Sequence, residues 1–263
     1  MNPQVSTRTS LWSSLEGEGA NTLILVHGLT GDAASVARYQ PDTSGIARLF
    51  IELPHHGRSP AVGDFSRDDV IARVADTVRR EVPRIGRVHL LGVSLGATVA
   101  RGLALVPDLR IDSLILIRPT HAAHPLPEHL ALNLLVAQLL ADDPGSAADR
   151  LRENPEFARV QASSPSAAAN LLTKAATTDP AVAAARGHLL RAGSAWTTPA
   201  GEVALPTLIV AAADDALHPH GVAQRWAQDL PGSWLAHVPA PRDPSHDAMV
   251  RSLVGEHLRG RDA

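Results

Sequence analysis

Six short apolar runs are continuous where a half-exposed strand would alternate. They fall at residues 22–26 (TLILV), 47–52 (ARLFIE), 88–92 (VHLLG), 113–117 (SLILI), 206–211 (PTLIVA) and, more weakly, 234–238. A strand with one solvated face alternates apolar and polar residues, whereas a strand buried on both faces does not. The runs therefore predict a mostly parallel sheet with helices on both faces. Helical patterns lie between them. Ser66 and Asp69 form a capping pair ahead of Val70, Val74, Val78 and Val82, which share one face. A second helix is expected from Ser94 to about Val106, where Pro107 blocks extension. Two more fit residues 220–230 and 247–258. Such alternation predicts an α/β fold with right-handed crossovers.

The rhythm fails between residues 120 and 199. No strand-like run occurs there, and helical patterns cover 126–140, 147–158 and 167–191. A structureless loop of that length is foreign to a compact domain. The segment is expected to be a helical cap, inserted into a core made of residues 1–119 and 200–263. It leaves the sheet at a strand's C-terminal end, where open α/β sheets bind ligands.

The formal net charge of −3, with 19% charged residues, offers no basic surface for nucleic acid or an anionic membrane. Without cysteine there is no disulfide, thiolate nucleophile or cysteine metal site. No stretch approaches the roughly 18–20 apolar residues of a membrane span. The first residues lack the basic and apolar segments of a secretory signal. The expectation is a cytoplasmic protein acting on a small molecule, with homo-oligomerisation left open. No His-Glu-x-x-His helix, P-loop or dinucleotide fingerprint appears. The pairs His55–His56, His121–His124 and His218–His220 lack the carboxylates of a metal site, so neither metal nor cofactor is expected.

The chemistry centres on Gly92-Val93-Ser94-Leu95-Gly96, a G-x-S-x-G sequence between an apolar run and a helical pattern. A sharp strand-to-helix turn leaves no room for side chains at its outer positions, hence Gly92 and Gly96. It lifts Ser94 to the top of the sheet at a helix N-terminus, where negative charge is favoured. Upstream, Val26-His27-Gly28-Leu29-Thr30-Gly31 closes the first run. This His-Gly segment followed by a serine elbow resembles the α/β-hydrolase superfamily.

The resemblance implies an oxyanion hole made by the backbone N–H groups of Leu29 and Leu95, with Gly28 clearing the approach and His27 packed behind. Residues 52–59 resemble the superfamily's Asp-x-x-Gly-His-Gly-x-Ser loop: His56, Gly57 and Ser59 match, while Glu52 and His55 replace its Asp and first Gly. The superfamily's acid stands four residues before a proline, which favours Asp215, four before Pro219, over Asp214. Its base follows after another helix and strand, which selects His246 in the loop before the last helix. His237 is then expected to pack within its strand and His257 to face solvent. His218 and His220 are expected to lie too near the acid in sequence. Arg118, at the end of its strand, either binds a substrate carboxylate or pairs with an acid of the insertion or faces solvent. Serine in the elbow excludes the aspartate nucleophile of haloalkane dehalogenases and epoxide hydrolases. The expected activity is hydrolysis of a small carboxylic ester, thioester or lactone through an acyl-enzyme. Carbon–carbon cleavage, cyclisation, cofactor-free haloperoxidase chemistry and ligand binding without turnover are the alternatives.

Overall fold

A computed structural model describes residues 9–63, 65–82, 86–123 and 127–262. Its sheet contains β1 (Ser13–Glu16), β2 (Asn21–Val26), β3 (Ile46–Ile51), β4 (Val88–Val93), β5 (Ser113–Ile117), β6 (Thr207–Ala212) and β7 (Ser233–Val238). The spatial order is β1-β3-β2-β4-β5-β6-β7. All neighbours are parallel except β1, which runs antiparallel to β3 at one edge. Each of the six predicted runs is a strand. The strand missed by pattern, β1, reads SSLE and is half-exposed to exposed throughout, so it lacks the apolar signal.

The continuous runs are explained by their faces. Ile24, Val26, Leu49, Leu90 and Leu116 point to one apolar layer. Leu23, Leu25, Phe50, Leu91 and Ile117 point to the other. The first layer is covered by α2 (Arg67–Glu81), α3 (Leu95–Ala104) and α9 (His220–Asp229), through Val70, Val74, Ala97 and Trp226. The second is covered by α1 (Ala33–Ala37) and α10 (His246–Asp262), through Val36, Val250 and Leu258. Burying one such side chain contributes about 1.5–3 kcal/mol. Among the described residues, no helix is long and apolar enough to cross a membrane.

Between β5 and β6 lie α4 (Ala131–Asp142), α5 (Ala147–Arg152), α6 (Pro155–Ser163), α7 (Pro165–Ala175) and α8 (Pro180–Ser194). The pattern over 126–140 begins at Leu126, outside the described residues, and its helix starts at Ala131. The pattern over 147–158 breaks at Asn154-Pro155, and that over 167–191 at Asp179-Pro180. In both places proline takes the first helical position, where no N–H is needed, and the preceding side chain caps two backbone N–H groups. These helices bury an apolar cluster of their own, including Val136, Leu140, Phe157, Leu171 and Leu190. The cluster meets the sheet's loops at Leu29 and Leu217.

After β2 the chain moves to β3 on one side and then to β4 on the other. The C-terminal ends of β2 and β4 therefore flank a topological switch point, the crevice where such sheets take ligands.

Candidate active site

Ser94 is the single residue between β4 and α3, with φ 55° and ψ −115°. A side chain held at such positive φ costs on the order of 1–3 kcal/mol. Close packing enforces it: a Cβ on Gly92 would strike the Gly96 carbonyl, and one on Gly96 would strike the Val26 carbonyl. The Ser94 N–H is secured by the Ile117 carbonyl at 2.9 Å.

The Ser94 Oγ lies 2.8 Å from Nε2 of His218, and Nδ1 of His218 lies 2.9 Å from Oδ2 of Asp215. A carboxylate only accepts, so Nδ1–H donates and Nε2 is left to accept the serine proton. That is the tautomer a general base requires. Burial pushes the His218 pKa below its ordinary 6.5, despite the opposing pull of Asp215. Burial also pushes Asp215 upward, but His218 and Arg118 beside it hold its carboxyl well below the usual range.

This corrects the expected base. His246 is the first residue of α10, not a loop residue, and is 1% exposed. Its Nδ1 donates to the Pro239 carbonyl at 2.8 Å, and its Nε2 faces the Tyr39 hydroxyl at 3.4 Å. Among the described hydrogen bonds it is His218 that meets Ser94. The objection that His218 stands too near the acid fails because the chain turns there: the His218 N–H bonds to the Asp215 carbonyl at 3.1 Å. A turn of four residues brings its first and last Cα within 7 Å, so the two side chains can meet directly. The overlooked signal was Asp-x-x-His before proline at a strand end.

Asp215 rather than Asp214 faces the imidazole. Asp214 is exposed, with φ 48°. Its carbonyl accepts the Ser164 hydroxyl, which in turn accepts the Ala216 N–H at 3.1 Å. Two further expectations about histidines fail. His237 lies exposed on β7, stacked on His220 at 4.5 Å, because β7 is an edge strand. His257 is buried at 4% exposure because that side of α10 packs on the sheet. His124 lies outside the described residues.

Arg118 sits at φ 50° just after β5, with Nη1 3.1 Å from Asp215 Oδ2. Its acid thus comes from the sheet's own loop, not from the insertion.

Leu29, Leu95 and Gly28 line one cavity with Ser94. Leu95 opens α3, so its N–H has no partner four residues back and sits at the positive end of the helix. A Cβ on Gly28 would stand 3.2 Å from the Ser94 Cβ. Two neutral histidines brace this loop. His27 Nδ1 donates to the Gly28 carbonyl at 2.8 Å, and Nε2 accepts from the Leu53 N–H at 3.0 Å. His56 Nδ1 donates to the Pro54 carbonyl at 2.7 Å, and Nε2 accepts from the Thr30 N–H at 2.9 Å. Each ring needs one bare nitrogen. Burial agrees, pushing the His56 pKa down to about 3. Glu52 accepts from the Arg58 N–H and its guanidinium. His55, in place of the superfamily's glycine, takes φ 62° and packs its ring on Phe65.

The cavity measures about 230 Å³. Its wall includes Asn133 on α4 and Lys174 on α7, neither of which the sequence pattern singled out. The available signal was a lone charge in the apolar stripe Ala167, Leu171, Lys174, Ala175. Among the described residues, no group of three His, Asp or Glu side chains is placed to hold a metal ion.

Known proteins agree with this architecture. The model of the alpha/beta hydrolase fold family matches residues 21–246. Among curated relatives, a 2-hydroxy-6-oxononadienedioate/2-hydroxy-6-oxononatrienedioate hydrolase of Cupriavidus pinatubonensis is 33% identical over 38% of this chain and 36% of its own length. A 2-succinyl-6-hydroxy-2,4-cyclohexadiene-1-carboxylate synthase of Salmonella agona is 38% identical over 31% of this chain and 32% of its own. The matched stretch thus spans about a third of each relative. Of solved structures, MenH from S. aureus superposes with a TM-score of 0.70 at 16% identity, covering 95% of this chain and 99% of that one. A non-heme bromoperoxidase candidate, BpoC from Mycobacterium tuberculosis, does so at 0.70 and 19%, covering 97% of each. At these identities the structures speak for the fold alone, and the family match extends it to most of the sequence: the chain belongs to the α/β-hydrolase fold family.

Proposed function

We propose that this protein is a serine hydrolase of small carboxylic esters, thioesters or lactones, with Ser94 as nucleophile, His218 as general base and Asp215 as the acid that orients it. The observation that carries the reading is the continuous hydrogen-bond chain Ser94–His218–Asp215 at a strained elbow. In the first step His218 Nε2 takes the hydroxyl proton while Oγ attacks the carbonyl carbon. The N–H groups of Leu29 and Leu95 hold the oxyanion, an arrangement in which one donor is worth roughly 3–4 kcal/mol. As the tetrahedral species collapses, His218 returns its proton to the leaving group and the acyl group stays on Ser94. Water, deprotonated by His218, then releases the acid and restores the serine. The inserted helices act as a cap that limits substrate size and excludes bulk water.

Carbon–carbon bond chemistry at the same serine is the second reading. The names of the Cupriavidus and Salmonella relatives favour it. A fluorophosphonate probe tests the shared premise: Ser94 should label stoichiometrically and Ser94→Ala not at all, with the fold unchanged by circular dichroism. An unlabelled wild-type protein would leave only a binding role. A panel of ester, thioester, lactone and vinylogous 1,5-diketone substrates then separates the two chemistries.

A further inference from the structure

Lys174 is buried to 7% exposure inside the inserted helices. Lysine is almost never fully buried unless paired. Its ammonium carries three N–H donors, and among the described residues its one hydrogen bond goes to the neutral Asn133 Oδ1 at 3.0 Å. No described carboxylate lies within ion-pair distance of it. Taking an ammonium out of water costs several kcal/mol, and the amide oxygen of Asn133 returns little of that. Burial accordingly pushes its pKa down to about 8, with Asp215 pulling it up and Arg118 pushing it down. It still carries its proton for the most part at neutral pH.

The cavity shared with Ser94 shows the same imbalance. Among the described residues its wall contains Arg38, Arg118 and Lys174 and no aspartate or glutamate. Arg38 stands 3.9 Å from Asp247, and Arg118 shares Oδ2 of Asp215 with His218. The charge of Asp215 is thus already divided between a guanidinium and an imidazole. Among the described residues Lys174 has no such partner, and it lines the cavity that Ser94 also lines.

We propose that Lys174, with Asn133 beside it, binds a carboxylate on the substrate, so that the preferred substrate is a short ester bearing a second, anionic carboxyl group. The proposal rests on the serine-hydrolase reading of the site. An anion there completes the unmet donors with charge-assisted hydrogen bonds, whereas a neutral acyl chain leaves them bare. The small cavity, about 230 Å³, restricts the substrate to a short chain.

The test compares the 4-nitrophenyl monoester of glutaric acid with 4-nitrophenyl valerate. In wild type, kcat/KM favours the anionic ester. In Lys174→Met that preference should fall about 10- to 100-fold, the range for hydrogen bonds to a charged group, and the loss should appear in KM. Lys174→Gln, which keeps an amide donor and loses the charge, should show the same fall. An unchanged ratio in both variants overturns the proposal. Calorimetry with glutarate supplies a readout that needs no turnover: binding should weaken at least tenfold in Lys174→Met, and equal binding by both proteins overturns it. Inorganic phosphate bound as tightly as glutarate would overturn the carboxylate assignment. Failure of Ser94 to label while glutarate binding still depends on Lys174 would refute the hydrolase reading and leave the anion site standing.

Discussion

Replacing His218 by asparagine removes the group that meets the Ser94 proton and keeps a side chain of similar reach toward Asp215. Losing a triad member costs on the order of 10⁴–10⁶ in kcat. At about 1.4 kcal/mol per decade, that is roughly 5–8 kcal/mol of transition-state stabilisation. The floor is set by the oxyanion donors, which alone leave about 10³–10⁴ over water. His246→Asn is the matched control. Its amide can still donate to the Pro239 carbonyl, and the contact it gives up, with Tyr39, is long at 3.4 Å. Its cost should fall on folding, about 1–3 kcal/mol for a disturbed buried polar group, with kcat within tenfold. Initial rates on a 4-nitrophenyl ester, taken well below each variant's urea midpoint, separate the effects. A 10⁴-fold loss in His246→Asn, with His218→Asn nearly intact, would refute the argument and return the base to His246.

Asp215→Asn should slow turnover by about 10⁴ because the imidazole loses its tautomer, while Asp214→Asn, on an exposed side chain, should stay within threefold in the same assay. The acid limb of kcat/KM for a neutral ester should lie below pH 6.5, since burial lowers the His218 pKa and the protonated ring cannot act as a base; a limb above 6.5 contradicts this. Arg118→Met should move that limb upward, because Arg118 disfavours the charged imidazole; a purely structural arginine would leave the pH profile in place. Gly96→Ala should destabilise the fold by several kcal/mol in urea melts, since its methyl meets the Val26 backbone.

The five inner strands, β2 to β6, were legible in the sequence because they are buried on both faces, which leaves continuous apolar runs such as 22–26 and 113–117. The elbow was legible because close backbone packing demands glycine at 92 and 96. The failures have separate physical causes. Sequence order assigns a base by its distance along the chain, whereas His218 reaches Asp215 through a tight turn that order does not register. The split of 147–158 and 167–191 into separate helices was written in Asn154-Pro155 and Asp179-Pro180, where capping and a missing N–H outweigh periodicity. Lys174 escaped notice because a charge on an apolar stripe reads as an interruption until the cavity beside it is seen.

Asp215 and His218 ride on one short turn, and Ser164, the N-cap residue of α7, grips that turn through the Asp214 carbonyl and the Ala216 N–H. A shift at the end of β6 therefore carries Asp215 and His218 together. Through Ser164 the turn that carries His218 is tied to the helix that carries Lys174, so the hydrogen-bond partner of Ser94 and the buried ammonium in the cavity wall are placed by one and the same connection.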